Sequence, residues 1–357
     1  MANRKKIDYL DVFRCVAILA VVAIHTTSQP VTQLSLDRWL YRLSYVINTG
    51  SQFAVPAFLF LSGMILTYNY EPKWNRDMMK SFFRKRLQYI IAPYFIWSFF
   101  YFLYVSMSSS VPLLSFKTWA IFIFRFLTGN NYFHLYFILV IFQFYILFPF
   151  LMNLMKRSTI FRNHLIGWAI GFQIFYFLWD HYIMQIPWKG ETIFTYALFV
   201  MIGMHAGLDY DTFIEKLRKR KGILIGLTIL FAVLHLGNIW LHMVNVLSFG
   251  KWNSYVYNIL YYGYVSLCCL SLLYVSSVVG TMKNRMVVLL NSIGATSFGI
   301  YFMHPLIIEV WRNHWMSSNS IGYPLIIFGS GLFSLLLPWF LFLTLKKYPW
   351  GWIFTGK

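Results

Sequence analysis

Asp11, Arg14 and His25 lie within one apolar run, DVFRCVAILAVVAIHTTSQP, that is long enough to cross a bilayer. A charge in hydrocarbon costs roughly 2.5 to 3.5 kcal/mol at a helix centre on insertion scales, so such residues face a partner or a watery cavity. Arg14 and His25 stand at i and i+11. At 100° per residue they return to within about 20° of one helix face, roughly 16 Å apart along the axis. Asp11, at i−3 from Arg14, can pair with it. An imidazole gains and loses a proton near neutral pH, which suits a general base or a transient acyl carrier. Plainer readings stand beside these. Arg14 can be a snorkelling side chain tied down by Asp11, and His25 an interfacial histidine closing the outer helix end beside Thr26, Thr27 and Ser28.

A second constellation is ATSFGIYFMHPLIIE, with Tyr301, His304 and Glu309. Pro305 removes one backbone hydrogen bond and is a place for the helix to bend just past His304 and open a cavity. The depth of His304 is compatible with meeting His25, or with a histidine hydrogen-bonded inside the bundle. FAVPAFLFLSGMIL places Pro56, Ser62 and Gly63 in another apolar run, where small residues permit close helix approach. GNNYFHLYFILVIFQF brings His134 in from the outer side with Gln143 deeper, either lining a cavity or satisfied by neighbouring helices. KSFFRKRLQYIIAPYF carries Lys80, Arg84, Lys85 and Arg86, which read as a basic membrane anchor or as a holder of a phosphorylated cytosolic donor. The basic segment Lys216 to Lys221 competes for that role.

These residues need a membrane scaffold, and the composition supplies one. The chain has 357 residues, 59% hydrophobic and only 11% charged, well outside soluble usage. Its three cysteines, Cys15, Cys268 and Cys269, sit in apolar runs, which argues against a disulfide framework. No signal-peptide cleavage pattern follows the first run, so it is expected to stay as a signal anchor. Ten candidate spans fall at roughly 8–27, 45–67, 88–107, 132–152, 164–182, 193–208, 222–243, 255–279, 290–311 and 323–345.

The net charge of +19 raises the question of nucleic acid, but most of the 30 basic residues fall in alternate loops. Arg4, Lys5 and Lys6, the run from Lys73 to Arg86, Lys156 to Arg162, Lys216 to Lys221, Lys283 and Arg285, and Lys346, Lys347 and Lys357 share one side. The positive-inside rule makes that side cytoplasmic, with both termini there and an even number of spans. Arg312 falls among the few on or near the outer side. The short apolar stretch within 108–131 is expected to lie in the interface or re-enter the bundle. Loops are short, and one all-α integral membrane domain over 1–357 is expected. No G-x-G-x-x-G after a strand, P-loop, H-E-x-x-H or G-x-S-x-G is present. No nucleic-acid partner and no metal are expected.

In order along the chain, the motifs resemble the bacterial acyltransferase 3 family of integral-membrane proteins. The family's D-x-x-R with a histidine further on is matched by Asp11, Arg14 and His25, and its F-x-x-S-G by FLFLSG. Its basic, proline-containing approach to the third helix is matched by RKRLQYIIAPY, its H-L-W-F-L piece by HLYFI, and its S-Y-x-I-Y-L-x-H-P piece by SFGIYFMHP. Tyr136 and Phe298 replace the commoner tryptophan and tyrosine, keeping an aromatic at each position. Length and span number are similar to the branch that includes the staphylococcal intercellular-adhesion polysaccharide protein, associated with exopolysaccharide O-succinylation or export.

What the resemblance implies is transfer of an acyl group, usually acetyl, from cytoplasmic acyl-CoA to a hydroxyl of a cell-surface or lipid-linked glycan, in a bacterial cell membrane. Arg14, oriented by Asp11, would steady the thioester or phosphate part of acyl-CoA, and His25 would serve as general base or acyl carrier. His304 and Tyr301, with His134 and Ser62, would line the acceptor side, and Arg84 and Arg86 would attract the phosphates of CoA. Two other readings stay open: an exporter of polysaccharide or lipid-linked sugar, and a noncatalytic partner of a glycan synthase or export complex.

Overall fold

The computed structural model describes residues 7–108, 115–315 and 322–356. Arg4, Lys5, Lys6 and Lys357, assigned to the cytoplasm from sequence, and residues 109–114 of the short outer stretch lie outside the described residues. Within them the chain is all-α. The helices are α1 (Leu10–Gln33), α2 (Trp39–Gly50), α3 (Ala54–Tyr70), α4 (Arg76–Arg86), α5 (Ala92–Ser108), α6 (Phe116–Thr128), α7 (Tyr136–Arg157), α8 (Thr159–Asn163) and α9 (Leu165–Tyr182). They continue as α10 (Ala197–Leu208), α11 (Tyr210–Lys219), α12 (Lys221–Met243), α13 (Asn253–Val279), α14 (Arg285–Ala295), α15 (Ser297–Trp315), α16 (Gly322–Leu345) and α17 (Trp352–Thr355).

Every expected span has a helix, but not all pass as membrane-crossing. Among the described residues, 7 helices are long and apolar enough, or 9 if each of two bent pairs counts as one span. The expected span at 164–182 becomes α9, whose 18 residues include Gln173, Asp180 and His181 and so dilute its apolar character. This is a multi-pass membrane protein. The stretch after α5 resolves into α6, whose 13 residues are too short to span and whose Phe122 packs among Phe95, Phe99 and Phe102.

The chain divides into two compact units, one of Met1–Leu61 with Asp209–Phe340, the other of Ser62–Leu208 with Leu341–Lys357. In the first, α1 is the central element and packs on α2, α13, α14 and α15. Two glycines allow its N-terminal end to be gripped closely: a side chain at Gly294 would run into the Asp11 carbonyl, and one at Gly280 into Tyr9. Its C-terminal half is tied by Asn48 of α2, whose amide donates to the Ile24 carbonyl (2.9 Å) and to Thr27 Oγ1 (3.1 Å). A break at residues 51–53 separates α2 from α3. It is bracketed by Tyr264, whose hydroxyl donates to the Gly50 carbonyl (2.5 Å), and by Gln52, which meets His235 Nε2 at 3.3 Å. His235 is fully buried among Tyr257, Tyr261 and Tyr264.

In the second unit α3 and α10 come into close backbone contact. A side chain at Gly63 would meet the Val200 carbonyl and one at Gly207 the Met64 carbonyl, which is the small-residue packing expected of FLFLSG. Tyr70, Trp74, Phe82 and Phe148 form an edge-and-face aromatic cluster beneath α4. Trp74 closes it by donating its indole N–H to Asn153 Oδ1 (3.0 Å) and accepting from Lys156 at its carbonyl. A π-helical turn, Leu87–Ile91, joins α4 to α5 and shifts the helical phase between the basic cluster and the apolar span.

Candidate functional site

The first unit carries the ionisable residues of α1. That helix is unbroken from Leu10 to Gln33, so Arg14 and His25 keep the phase that puts them on one face. Arg14 Nη1 forms an ion pair with Asp11 Oδ1, and both side chains are part-exposed. The Asp11 backbone is itself held by the close approach of α14 at Gly294.

The helix does not end at His25, which corrects the reading of that histidine as an outer cap. Thr27 Oγ1 donates back to the Ala23 carbonyl (2.6 Å) and Ser28 Oγ to the His25 carbonyl (2.9 Å). Thr32 Oγ1 repeats the pattern on Ser28 (3.0 Å). These back-bonds satisfy the polar side chains locally and let the helix run on past residue 27, where the expected span stops, to Gln33.

His25 meets His304 of α15, their ring centroids 5.2 Å apart and tilted by 41°. Tyr301 lies one turn earlier on the same helix, 6.3 Å from the His304 ring, and is buried. His304 is fully buried, and its Nδ1 lies 3.0 Å from the Ile300 carbonyl. A carbonyl can only accept, so Nδ1 carries a proton and donates this bond. Pro305 lies inside α15, which runs on as one helix from Ser297 to Trp315. The sharp turn of 74° falls earlier, between α14 and α15 at Thr296. Thr296 Oγ1 donates to the Ile293 carbonyl (3.0 Å) there, closing the end of α14.

The remaining expected site residues belong to the second unit. His134 is buried at the start of α7, its ring edge-on to Tyr101 (5.2 Å) and Tyr132 (5.7 Å). Ser62 is half-buried on α3 beside the Gly63 contact. Arg84 and Arg86 part company: Arg84 is exposed in the last turn of α4, while the Arg86 guanidinium sits over the rings of Phe82 (4.6 Å), Tyr145 (5.1 Å) and Tyr70 (5.9 Å). Gln143 resolves as structural. Its amide donates to the Glu191 carbonyl (2.9 Å) and accepts from the Ile193 N–H (2.9 Å), splinting the connection into α10.

Sequence reasoning passed over Arg312. Its Nη2 donates to the Thr26 carbonyl (2.5 Å) and lies 3.4 Å from that of His25. The available signal was Pro30, four residues beyond Thr26 and without an N–H to give it.

The first unit thus carries an Asp–Arg pair near one end of α1 and, further along the same helix, a histidine facing another on α15. Residues 7–343 match the acyltransferase 3 family model, described as an acyltransferase domain, and the chain belongs to that family. Among curated proteins it is similar to one described as "Probable poly-beta-1,6-N-acetyl-D-glucosamine export protein" from Staphylococcus aureus strain MRSA252. That relative is 24% identical over 86% of this chain and 83% of its own. A protein of the same description from Staphylococcus epidermidis is 24% identical over 86% of this chain and 82% of its own. No solved structure matches.

Proposed function

We propose that this protein transfers an acyl group, acetyl in the first instance, from cytoplasmic acyl-CoA to a hydroxyl of a cell-surface or lipid-linked glycan. The observation that carries the reading is the meeting of His25 and His304 at 5.2 Å on an α1 that also bears the Asp11–Arg14 pair. Family membership supports the reaction class, and the glycan named in the relatives' descriptions supports the acceptor class. The proposed setting is the bacterial inner membrane, with ten spans and cytoplasmic termini.

In this reading Arg14, held by Asp11, steadies the thioester or phosphate portion of the donor. His25 takes the proton of the acceptor hydroxyl as its oxygen attacks the thioester carbonyl; the carbon–sulfur bond breaks and the proton passes to the CoA sulfur. In the covalent form of the same chemistry, His25 first displaces CoA and then yields the acyl group to the hydroxyl. His304 and Tyr301 line the acceptor side, with His134 and Ser62 as further substrate contacts, and Arg84 and Arg86 attract the phosphates of CoA.

The experiment is to measure O-acyl ester on surface glycan in cells carrying wild type, His25→Ala or Arg14→Ala at matched protein levels, alongside acyl transfer by the purified protein. Loss of ester in both variants is expected. The relatives' descriptions favour a second reading, an exporter of exopolysaccharide. Unchanged ester together with lost export would overturn the enzyme in favour of that exporter.

A further inference from the structure

We infer that Arg312 is a positioning residue for His25, supplying the hydrogen bond that α1 cannot make for itself. The inference rests on the acyl-transfer reading above. In an α-helix the carbonyl of residue i accepts from the N–H of residue i+4. Pro30 has no N–H, so the Thr26 carbonyl is left without its helical donor. Such a group finds no water in a hydrocarbon environment and must be satisfied by protein. Yet α1 continues through Pro30 to Gln33.

The missing donor comes from α15. Arg312 Nη2 donates to the Thr26 carbonyl at 2.5 Å and lies 3.4 Å from the carbonyl of His25. A guanidinium makes a charge-assisted bond, stronger than the amide bond it replaces. On another side Thr26 is backed by Gly331 of α16, where an added Cβ would lie 2.8 Å from Thr26 Oγ1. Thr26 is thus gripped directly beside His25. Arg312 also lies on the helix that presents His304, so one rigid element sets both the ring facing His25 and the backbone that carries it. The pairing of Pro30 with Arg312 exchanges a bond internal to α1 for one that registers α1 against α15.

This makes the two residues conditional on each other. Without the guanidinium the Thr26 carbonyl is unsatisfied and the turn bearing His25 is held on the α2 side alone, by Asn48; a displacement of about 1 Å at a reacting group can cost on the order of 10²-fold in rate. Restoring an N–H at position 30 would give the carbonyl its helical donor and make Arg312 dispensable.

The test uses the full chain purified in nanodiscs. Arg312→Met is measured alone and in the Pro30→Ala background, for kcat and KM of acetyl-CoA-dependent transfer. The rate of His25 modification by diethyl pyrocarbonate is read by peptide mass spectrometry. We expect Arg312→Met to lower kcat by about tenfold or more with donor KM unchanged, and to change the His25 modification rate severalfold. In the Pro30→Ala background both effects should shrink to about twofold, and Arg312→Lys should retain part of the activity. Equal losses in the two backgrounds, or a fully active Arg312→Met, would overturn the inference. If wild type transfers no acyl group, the function fails, while the modification rates still decide whether Arg312 and Pro30 are coupled.

Discussion

The backbone carbonyl of Asp11 occupies the space in which a side chain at residue 294 would begin. Gly294→Ala therefore has to push α14 away from α1 at the ion pair of Asp11 and Arg14. Overpacking of this kind typically costs about 1–3 kcal/mol, and here the obstacle is backbone rather than a flexible side chain. We expect a lower thermal midpoint in detergent. In the acyl-transfer reading activity falls further than stability accounts for, because Arg14 loses its setting. Thermal unfolding and turnover on the same preparation check both, and wild-type behaviour of this variant would contradict the close approach.

Gln143→Leu removes the side-chain amide that serves the Glu191 carbonyl and the Ile193 N–H. Leaving a buried backbone group unserved costs about 1–3 kcal/mol. The expected outcome is a reduced thermal midpoint and faster hydrogen exchange at the amide of Ile193, with donor KM unaffected.

His304→Phe keeps a ring of similar size opposite His25 but cannot donate to the Ile300 carbonyl or offer a lone pair. If the pair of histidines handles the acceptor proton, transfer should fall by about 10²-fold while the protein remains folded. Circular dichroism with turnover separates the two effects. His304→Asn, which retains a donor, should be the better folded of the two variants.

Arg84 and Arg86 should separate in a thermal-unfolding assay although both are proposed to attract the donor. Arg84→Ala, at an exposed position, is expected to raise donor KM severalfold and to weaken its salt dependence without moving the thermal midpoint. Arg86→Ala removes a cation from between three aromatic rings, worth about 1 kcal/mol, and should lower the midpoint.

Much of this architecture is legible because apolar runs must become helices in a membrane, and because Arg14 and His25 share a helical phase whatever surrounds them. The meeting of His25 with His304 was legible only as matched depth; the 5.2 Å contact depends on how α15 packs. Two local features misled. The expected first span stops near residue 27, but hydroxyls there and beyond bond back to the preceding turn and α1 runs on to Gln33. Pro305 drew attention to α15 itself, yet the sharp turn comes before it, at Thr296 between α14 and α15. His235 gave no signal at all, because its partners at Gln52 and on α13 are remote in sequence.

The bracket around residues 51–53 has a mechanical consequence. A broken membrane helix is commonly where a protein flexes, since unpaired backbone groups give the chain freedom to pivot. Here Tyr264 bonds the Gly50 carbonyl, Gln52 is met by His235, and the Tyr45 hydroxyl donates to the Leu236 carbonyl (2.6 Å). Pivoting at this joint would mean parting these bonds at once in a medium that offers no substitutes. The interruption between α2 and α3 therefore acts as a fixed elbow, and any conformational cycling within this unit has to be accommodated at some other joint.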